Sequence, residues 1–191
     1  CMDEIGYKEA FDREFHEIEN DKLSENGVIA DKTMNTLLHV FEAYTELYRV
    51  SGNVEVKKRL EWILDTIADK IYNPKLHRQE VFFDREMRSI LDLHSYGHDI
   101  ETAWLIRRGT DVLGEKLYED KMLPIILDLT GQVYRTAFDG KSLANECEFL
   151  ERVSAGAGTY GVSGRRQGGV GVYQGACDRS KTRFRMVLGC E

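Results

Sequence analysis

Three sequence features that identify common protein classes are missing from this chain of 191 residues. The four cysteines are scattered and no CxxC pair occurs, which argues against a zinc knuckle or a disulfide framework and makes a reducing cytoplasm the expected location. No run is apolar and long enough to span a membrane, and no signal-peptide pattern opens the chain. Basic residues are outnumbered by acidic ones, 26 to 33, so no nucleic-acid partner is expected.

Charge and glycine are distributed unevenly along the chain. Up to Glu148 there are 19 basic and 30 acidic residues, whereas from Phe149 onward there are 7 basic and 3 acidic ones. Nine of the 17 glycines lie after Glu151, where no helical or strand period occurs. We therefore predict one domain over residues 1–148 and a disordered or out-of-frame tail over 149–191. A basic RNA-binding arm is a weaker interpretation of the tail, and a phosphate loop is weaker still because no GxxxxGK spacing exists.

Helical periodicity begins after an irregular opening. Residues 1–32 carry turn residues without a period, so we predict irregular structure there. From Met34, apolar residues recur at spacings of three and four and predict a helix that stops at Gly52, a residue suited to a left-handed C-cap. A second helix follows and ends at Asn73, immediately before a proline.

A second helical hairpin is predicted further along the chain. A short extended piece, Glu80–Asp84, and a polar loop, Asp92–Gly97, precede it. The third helix is expected to begin near His98 and to run to Gly114. The fourth helix follows, with Pro124 placed in its first turn because proline is tolerated there.

The two hairpins resemble one another and predict an internal repeat. His39-Val40-Phe41-Glu42 stands near the start of the first, His98-Asp99-Ile100-Glu101 stands near the start of the second, and each hairpin breaks at a glycine. Hairpin repeats bury their apolar faces by stacking into solenoids or closing into toroids, and two units are fewer than the roughly three that an array needs. The predicted fold class is therefore all-α, with neighbouring units missing.

Chemically active side chains concentrate at the start of the third helix. His98 and Glu101 are three residues apart and share a helix face, and Trp104 adjoins them. Imidazole exchanges protons near neutral pH, a carboxylate binds hydroxyl groups, and indole offers a flat face to a sugar ring. These residues favour acid–base chemistry on a carbohydrate, with Asn35, Glu42 and Glu101 suited to hydroxyl groups and Trp104, Tyr96 and Tyr44 suited to stacking.

Two other interpretations remain open from the residues alone. A metal site would use His94 and His98 with Glu101, Asp92 and Asp99 nearby, although neither HExxH nor a matched carboxylate pair supports it. A helical interaction scaffold would instead use the aromatic residues as core and the charges as a solvated face.

Several segments resemble the cellobiose 2-epimerases of the N-acylglucosamine 2-epimerase superfamily. Ser95–Leu105 and Asn35–Thr45 are similar to two signature segments of that family, and Val81–Asp84 and Asn145–Glu148 also fit. The resemblance covers roughly Asp3 to Glu148 without interruption. It implies an (α/α)6 barrel, of which this chain would form a part.

The resemblance implies a specific reaction, the reversible epimerisation at C2 of the reducing-end glucose of β-1,4-linked disaccharides. Cellobiose would become glucosyl-mannose and lactose would become epilactose, through ring opening, proton abstraction to an enediolate and proton return on the opposite face. By matched position, His98 belongs to the catalytic pair and His39 is a further active-site histidine. Asn35, Glu101 and Trp104 match substrate-contacting positions. The implied protein is a cytoplasmic monomer that acts on a small disaccharide, without metal or organic cofactor.

The resemblance stops after Glu148. The family's paired tryptophan and active-site glutamate would fall near Gly158–Ser163, where nothing matches, and the second catalytic histidine and an arginine of the first hairpins are also absent. We therefore expect the isolated chain to be inactive, because losing one member of a cooperating catalytic set costs orders of magnitude in rate. Two alternatives stay open: another epimerase or an aldose–ketose isomerase of the same superfamily, and a non-catalytic remnant that binds a sugar or a partner.

Overall fold

The computed structural model of the chain describes residues 2–18, 20, 28–148 and 183–184. Four α-helices dominate this part of the chain: α1 Met34–Ser51, α2 Val54–Thr66, α3 Tyr96–Leu113 and α4 Lys116–Thr136. A π-helical turn, Ile67–Ile71, continues α2. Strands of two or three residues connect the helices: β1 Lys32–Thr33, β2 Tyr72–Asn73, β3 Arg78–Gln79, β4 Phe82–Phe83, β5 Leu93–Ser95, β6 Leu143–Ala144, β7 Glu146–Glu148 and β8 Arg183–Phe184. The fold is helix-rich as predicted, and β4 lies within the predicted extended piece Glu80–Asp84, whereas the other short strands were not predicted.

The first hairpin forms where its periodicity and cap residues placed it. The Thr33 hydroxyl caps α1 by accepting a hydrogen bond from the Thr36 N–H at 3.1 Å. At the other end Gly52 adopts a φ of 60°, and its N–H donates to the carbonyl of Tyr48. The Asn53 side chain then caps α2, so that two residues turn the chain back. Local sequence accounts for this hairpin, because Thr33, Gly52 and Asn53 each lie directly beside the helix that they cap.

The second hairpin differs from its prediction in two places. The predicted loop Asp92–Gly97 is wrong in part: Leu93–Ser95 form strand β5, which pairs antiparallel with β7, and α3 begins at Tyr96. The partner strand lies about fifty residues further along the chain, so no local pattern indicates it. Pro124 is also misplaced, since it is the ninth residue of α4 and not in its first turn. Buried neighbours such as Met122 and Ile125 offset the backbone hydrogen bond that proline removes.

The internal repeat is present, and its register is the one given by the two predicted glycine breaks rather than by the two histidine motifs. Gly52 and Gly114 both end a helix of 18 residues in the left-handed conformation, and they are 62 positions apart (114 minus 52). The next helices start at Val54 and Lys116, again 62 positions apart. Each unit is closed by an antiparallel strand pair, β1 with β4 and β5 with β7. At this register His39 corresponds to Glu101 rather than to His98.

The helices α1 and α3 pack directly against each other. Phe41 is fully buried, and its ring lies against Gly109 so closely that a Cβ at that position would stand 2.1 Å from the ring. The main core consists of apolar side chains from α1, α2, α3, α4 and β4, among them Leu38, Leu60, Ile63, Phe83, Ile106, Met122 and Leu129. In the described part of the chain we found no helix with the length and apolarity needed to cross a membrane.

The predicted tail lies almost entirely outside the described residues. Within it only Arg183–Phe184 are described, as β8, which pairs antiparallel with Leu143–Ala144 of β6. The division of the chain at residue 149 therefore stays a prediction. The irregular structure predicted for residues 1–32 agrees with residues 2–18 and 28–31, which contain turns, bends and isolated bridges.

Candidate active site at the start of the third helix

The first turn of α3 is anchored by a buried carboxylate. Asp99 is 1% exposed and accepts three hydrogen bonds. The Gln79 N–H and the Gln79 side-chain amide donate to Oδ1, each at 3.1 Å, and His94 Nε2 donates to Oδ2 at 2.7 Å. The same Gln79 amide lies 3.3 Å from the His98 carbonyl oxygen. β3 and β5 thus hold the backbone of His98 in place through side chains that are themselves buried.

The ring of His98 lies at the edge of this buried cluster. His98 is half-buried, and its Nδ1 is 2.7 Å from the hydroxyl oxygen of Ser95. Ser95 stands at the N-cap of α3, but its side chain makes no capping hydrogen bond and contacts the imidazole instead. Nε2 of His98 has no protein partner within the described residues. The imidazole is therefore held at one nitrogen and available for proton transfer at the other.

Gly97 leaves space for a residue that the sequence did not connect with this turn. A Cβ at Gly97 would stand 2.5 Å from Oδ1 of Asn145, and the Gly97 N–H donates to the Asn145 carbonyl at 3.2 Å. Asn145 precedes β7, so the β5–β7 pair brings it over the start of α3. Glycine is needed here for close approach rather than for a left-handed backbone.

Glu101 and Trp104 lie on the outer side of α3. Glu101 is half-buried, whereas 62% of Trp104 is exposed, an unusual degree for an indole. Tyr96 was predicted as a further stacking residue, and it is 5% exposed with its ring 4.0 Å from that of His94. Tyr44 packs against the main core. Of the three aromatic residues predicted to stack on sugar, only Trp104 presents an open surface.

The neighbouring helix α1 carries a polar stripe that starts with two of the predicted site residues. Asn35, His39, Glu42 and Glu46 recur at three and four and therefore share one face. His39 Nδ1 is 3.0 Å from Glu42 Oε2, and both side chains are about half exposed. The carboxylate can only accept, so His39 donates from Nδ1 and its Nε2 is the basic nitrogen. Arg108 of α3 donates to Glu46 from Nε at 3.0 Å and so joins the two helices.

The structure does not assemble the metal site considered above. Asp92 pairs with Arg78, and Asp99 pairs with His94. Across residues 2–18, 20 and 28–146, no group of three or more histidine, cysteine, aspartate or glutamate side chains is arranged to hold a metal ion. The predicted site residues thus divide between two adjacent helices, Asn35 and His39 on α1 and His98, Glu101 and Trp104 on α3.

Reasoning from the sequence missed three contacts of this site. The Ser95–His98 contact could have been predicted from the sequence. A serine three residues before a histidine at the start of a helix is within reach of the ring. The Asp99–Gln79 and Gly97–Asn145 contacts had no such signal, since each joins segments that are far apart in the chain.

Comparison with known proteins identifies relatives for most of the chain. No family model matches it. Cellobiose 2-epimerase from Eubacterium cellulosolvens is 45% identical over 76% of this chain and 40% of its own length. A solved sugar epimerase from a ruminal bacterium superposes with a TM-score of 0.75 at 43% identity, covering 78% of this chain and 39% of that one. The solved cellobiose 2-epimerase from Bacillus thermoamylovorans superposes with a TM-score of 0.66 at 42% identity, covering 74% of this chain and 36% of that one. The chain thus spans about two fifths of the length of these relatives.

Proposed function

We propose a function from one premise: over 76% of its length this chain is homologous to part of the cellobiose 2-epimerases. It carries one part of the active site of an enzyme that inverts C2 of the reducing-end glucose of cellobiose and related β-1,4-linked disaccharides. The observation that supports this most directly is the imidazole of His98, which is held at Nδ1 and has no partner at Nε2 among the described residues.

The chemistry requires proton transfer on both faces of the sugar. Opening the ring places the C2 proton α to an aldehyde, so that a base can remove it and leave an enediolate. His98 Nε2 takes or returns this proton on one face, and histidine suits both directions because its ordinary pKa is about 6.5. Inversion needs a second proton-transfer group on the other face, and we infer that it comes from outside residues 1–148. The isolated chain is accordingly inactive.

The remaining site residues bind and open the sugar. His39 donates from Nδ1 to Glu42, which leaves Nε2 to accept the anomeric hydroxyl proton during ring opening. Asn35 and Glu101 bind hydroxyl groups of the substrate from adjacent helices. The exposed indole of Trp104 stacks on a sugar ring, which accounts for an aromatic side chain that contributes little to the core.

The two helical hairpins belong to an (α/α)6 barrel that comprises residues 1–148 and segments beyond them, with 149–191 as a separate tail. The repeat at 62 positions supports this, since each unit presents a strand-closed hairpin to its neighbour. The outer stripe of α4 also supports it, because Leu123, Leu127 and Tyr134 are 42–68% exposed on one face.

A chimera provides the direct test. The segment of the Eubacterium cellulosolvens enzyme that aligns with this chain is replaced by residues 3–148, and conversion of lactose to epilactose is assayed. We expect conversion by the chimera and none by the isolated chain. Failure of a well-folded chimera to epimerise lactose or cellobiose, with turnover of N-acylglucosamine or of mannose instead, would move the function elsewhere in the superfamily.

The first prediction concerns His98 in that chimera. H98N removes the proton-transfer group and is expected to lower kcat about 10²- to 10⁴-fold, the usual contribution of an acid–base residue. H77N serves as the matched control, because His77 is 54% exposed and pairs with Asp128 of α4, not with a residue of this turn. The assignment of His98 is refuted if H98N and H77N retain similar activity.

A second candidate function is sugar binding without turnover. It is favoured by the exposed indole of Trp104 together with the lack of a second proton-transfer group in the matched segment. Cellobiose would then quench the tryptophan fluorescence of the isolated chain, and the chimera would bind lactose without producing epilactose.

A further inference from the structure

The five histidines of the chain all lie within the described residues, and their partners differ in one respect. Four of them are paired with carboxylates, each at 2.7–3.0 Å: His16 with Asp12, His39 with Glu42, His77 with Asp128, and His94 with Asp99. His98 alone is paired with a hydroxyl, that of Ser95. The histidine with the proposed catalytic role is thus the one with a neutral partner.

The surroundings of Ser95 fix its hydroxyl beside the His98 ring. It is 2% exposed and stands at the N-cap of α3, where serine ordinarily caps the helix through its side chain. Here the side chain makes no cap bond, and the hydroxyl lies 2.7 Å from His98 Nδ1. The backbone of Ser95 is fixed independently, because it pairs with Glu146 in the β5–β7 ladder. The hydroxyl therefore stands at a rigid point beside the ring.

A hydroxyl and a carboxylate have different effects on an imidazole that gains and loses a proton. A carboxylate only accepts hydrogen bonds, and its charge stabilises the imidazolium. A hydroxyl is neutral and can donate or accept. It can accept from Nδ1–H when the ring is charged or carries its proton on Nδ1, and it can donate to Nδ1 when the proton is on Nε2. The same contact therefore persists in every protonation state.

We propose that Ser95 is a positioning residue for His98: its hydroxyl holds Nδ1 throughout the reaction and keeps Nε2 as the nitrogen that exchanges a proton with the substrate. The relevance of this contact to catalysis rests on the proposed function, whereas the contact itself does not. Because Ser95 makes no capping bond with its side chain, its removal affects the ring more than the helix.

The test that needs no activity is a nitrogen-15 NMR titration of the imidazoles in the full 191-residue chain. In S95A we expect the His98 ring nitrogens to change their chemical shifts and tautomer populations, with S95T restoring the original signals through its hydroxyl. S89A is the matched control, since Ser89 contacts Glu80 and no histidine. Unchanged His98 ring signals in a folded S95A chain would overturn the proposal while leaving the proposed function intact.

The catalytic consequence is measured in the chimera. S95A is expected to lower kcat by about 10- to 100-fold, comparable to the loss of an outer hydrogen-bond partner of a working histidine, with KM changed little. S95T should recover most of that loss, and the pH profile of kcat should differ between S95A and the unmodified chimera. Equal kcat values and pH profiles for S95A and S89A would refute the positioning role.

Discussion

The two sides of α3 have opposite properties. The inner side carries Asp99, Thr102, Ile106, Gly109 and Thr110, all buried, and it joins the helix to β3, β5 and α1. The outer side carries Trp104, Arg107, Arg108 and Asp111, all exposed. His98 lies between the two sides, half-buried. The inner side therefore contributes stability, whereas the outer side presents its side chains to solvent.

The neighbouring histidines illustrate the same division. His94 is 4% exposed, and its Nε2 donates to the Asp99 carboxylate, which also accepts two hydrogen bonds from Gln79. His98, four residues later, contacts a hydroxyl at Nδ1 and no carboxylate within the described part of the chain. A histidine whose partners are buried and charged is expected to stabilise the fold. One with a free nitrogen and a neutral partner can do chemistry.

Removing the anchor on the inner side is expected to have the largest effect. D99A leaves two Gln79 N–H groups and His94 Nε2 without their acceptor in a buried position, at about 1–3 kcal/mol for each unpaired group. We expect a loss of about 3–5 kcal/mol in the free energy of unfolding, measured by urea denaturation followed by circular dichroism. D111A is the control, because Asp111 pairs with Arg107 on the exposed side and with no other described residue. Similar losses in the free energy of unfolding for D99A and D111A would contradict the distinction between the inner and outer sides of α3.

The contact with α1 should give the next largest effect. G109A replaces glycine by the better helix former, which by itself would add about 1 kcal/mol of stability. The new methyl group would stand 2.1 Å from the buried ring of Phe41, and such overpacking costs about 1–3 kcal/mol or more. We expect net destabilisation in a thermal melt, relieved by combining G109A with F41L.

The matched glycine for this experiment is Gly131 of α4. A methyl group there would meet only the end of the flexible Arg135 side chain, at 3.0 Å. G131A should therefore be neutral or stabilising, since the arginine can move away. If G109A proves as stable as G131A, then the close packing of α1 on α3 is wrong.

The smallest effect is expected on the exposed side. Arg49 and Arg108 donate to Glu46 and hold the pKa of its carboxyl below the ordinary value of 4.5. A lowered pKa stabilises the folded state above the unfolded pKa, and this contribution disappears as the pH falls through the folded value. E46Q should thus change the melting temperature only slightly at pH 7, and it should reduce the decline in stability between about pH 5 and pH 3. If E46Q lost as much stability at pH 7 as D99A does, the exposed side would contribute more to stability than we infer.

The sequence predicted elements whose determinants are local. Both helical hairpins, the left-handed glycines and the pairing of His98 with Glu101 on one helix follow from spacings within a few residues. The predicted repeat matched both the two glycine breaks and the motifs at His39 and His98, and only the glycine pair agrees with the helix ends. Pro124 was placed in the first turn because proline is tolerated there, but α4 begins at Lys116, two residues after the left-handed Gly114.

The candidate site was predicted only in its side chains and not in their surroundings. The motif indicated His98, Glu101 and Trp104, yet a motif specifies chemistry without giving partners. The buried acceptor of His94, the glycine that accommodates Asn145 and the hydroxyl that holds His98 depend on β3, β5 and β7. Those strands are too short to produce a periodic signal.

By itself the sequence determined the two helical hairpins, the glycines that end α1 and α3, and the apolar face of each helix, and it proposed side chains suited to proton transfer and sugar binding. These properties depend on residue types a few positions apart. Only the tertiary structure decided that Asp99 anchors the helix, that His94 is buried against a carboxylate and that His98 Nε2 has no partner among the described residues. Burial and hydrogen-bond partners come from segments distant in the chain, and they decide whether a histidine serves stability or chemistry.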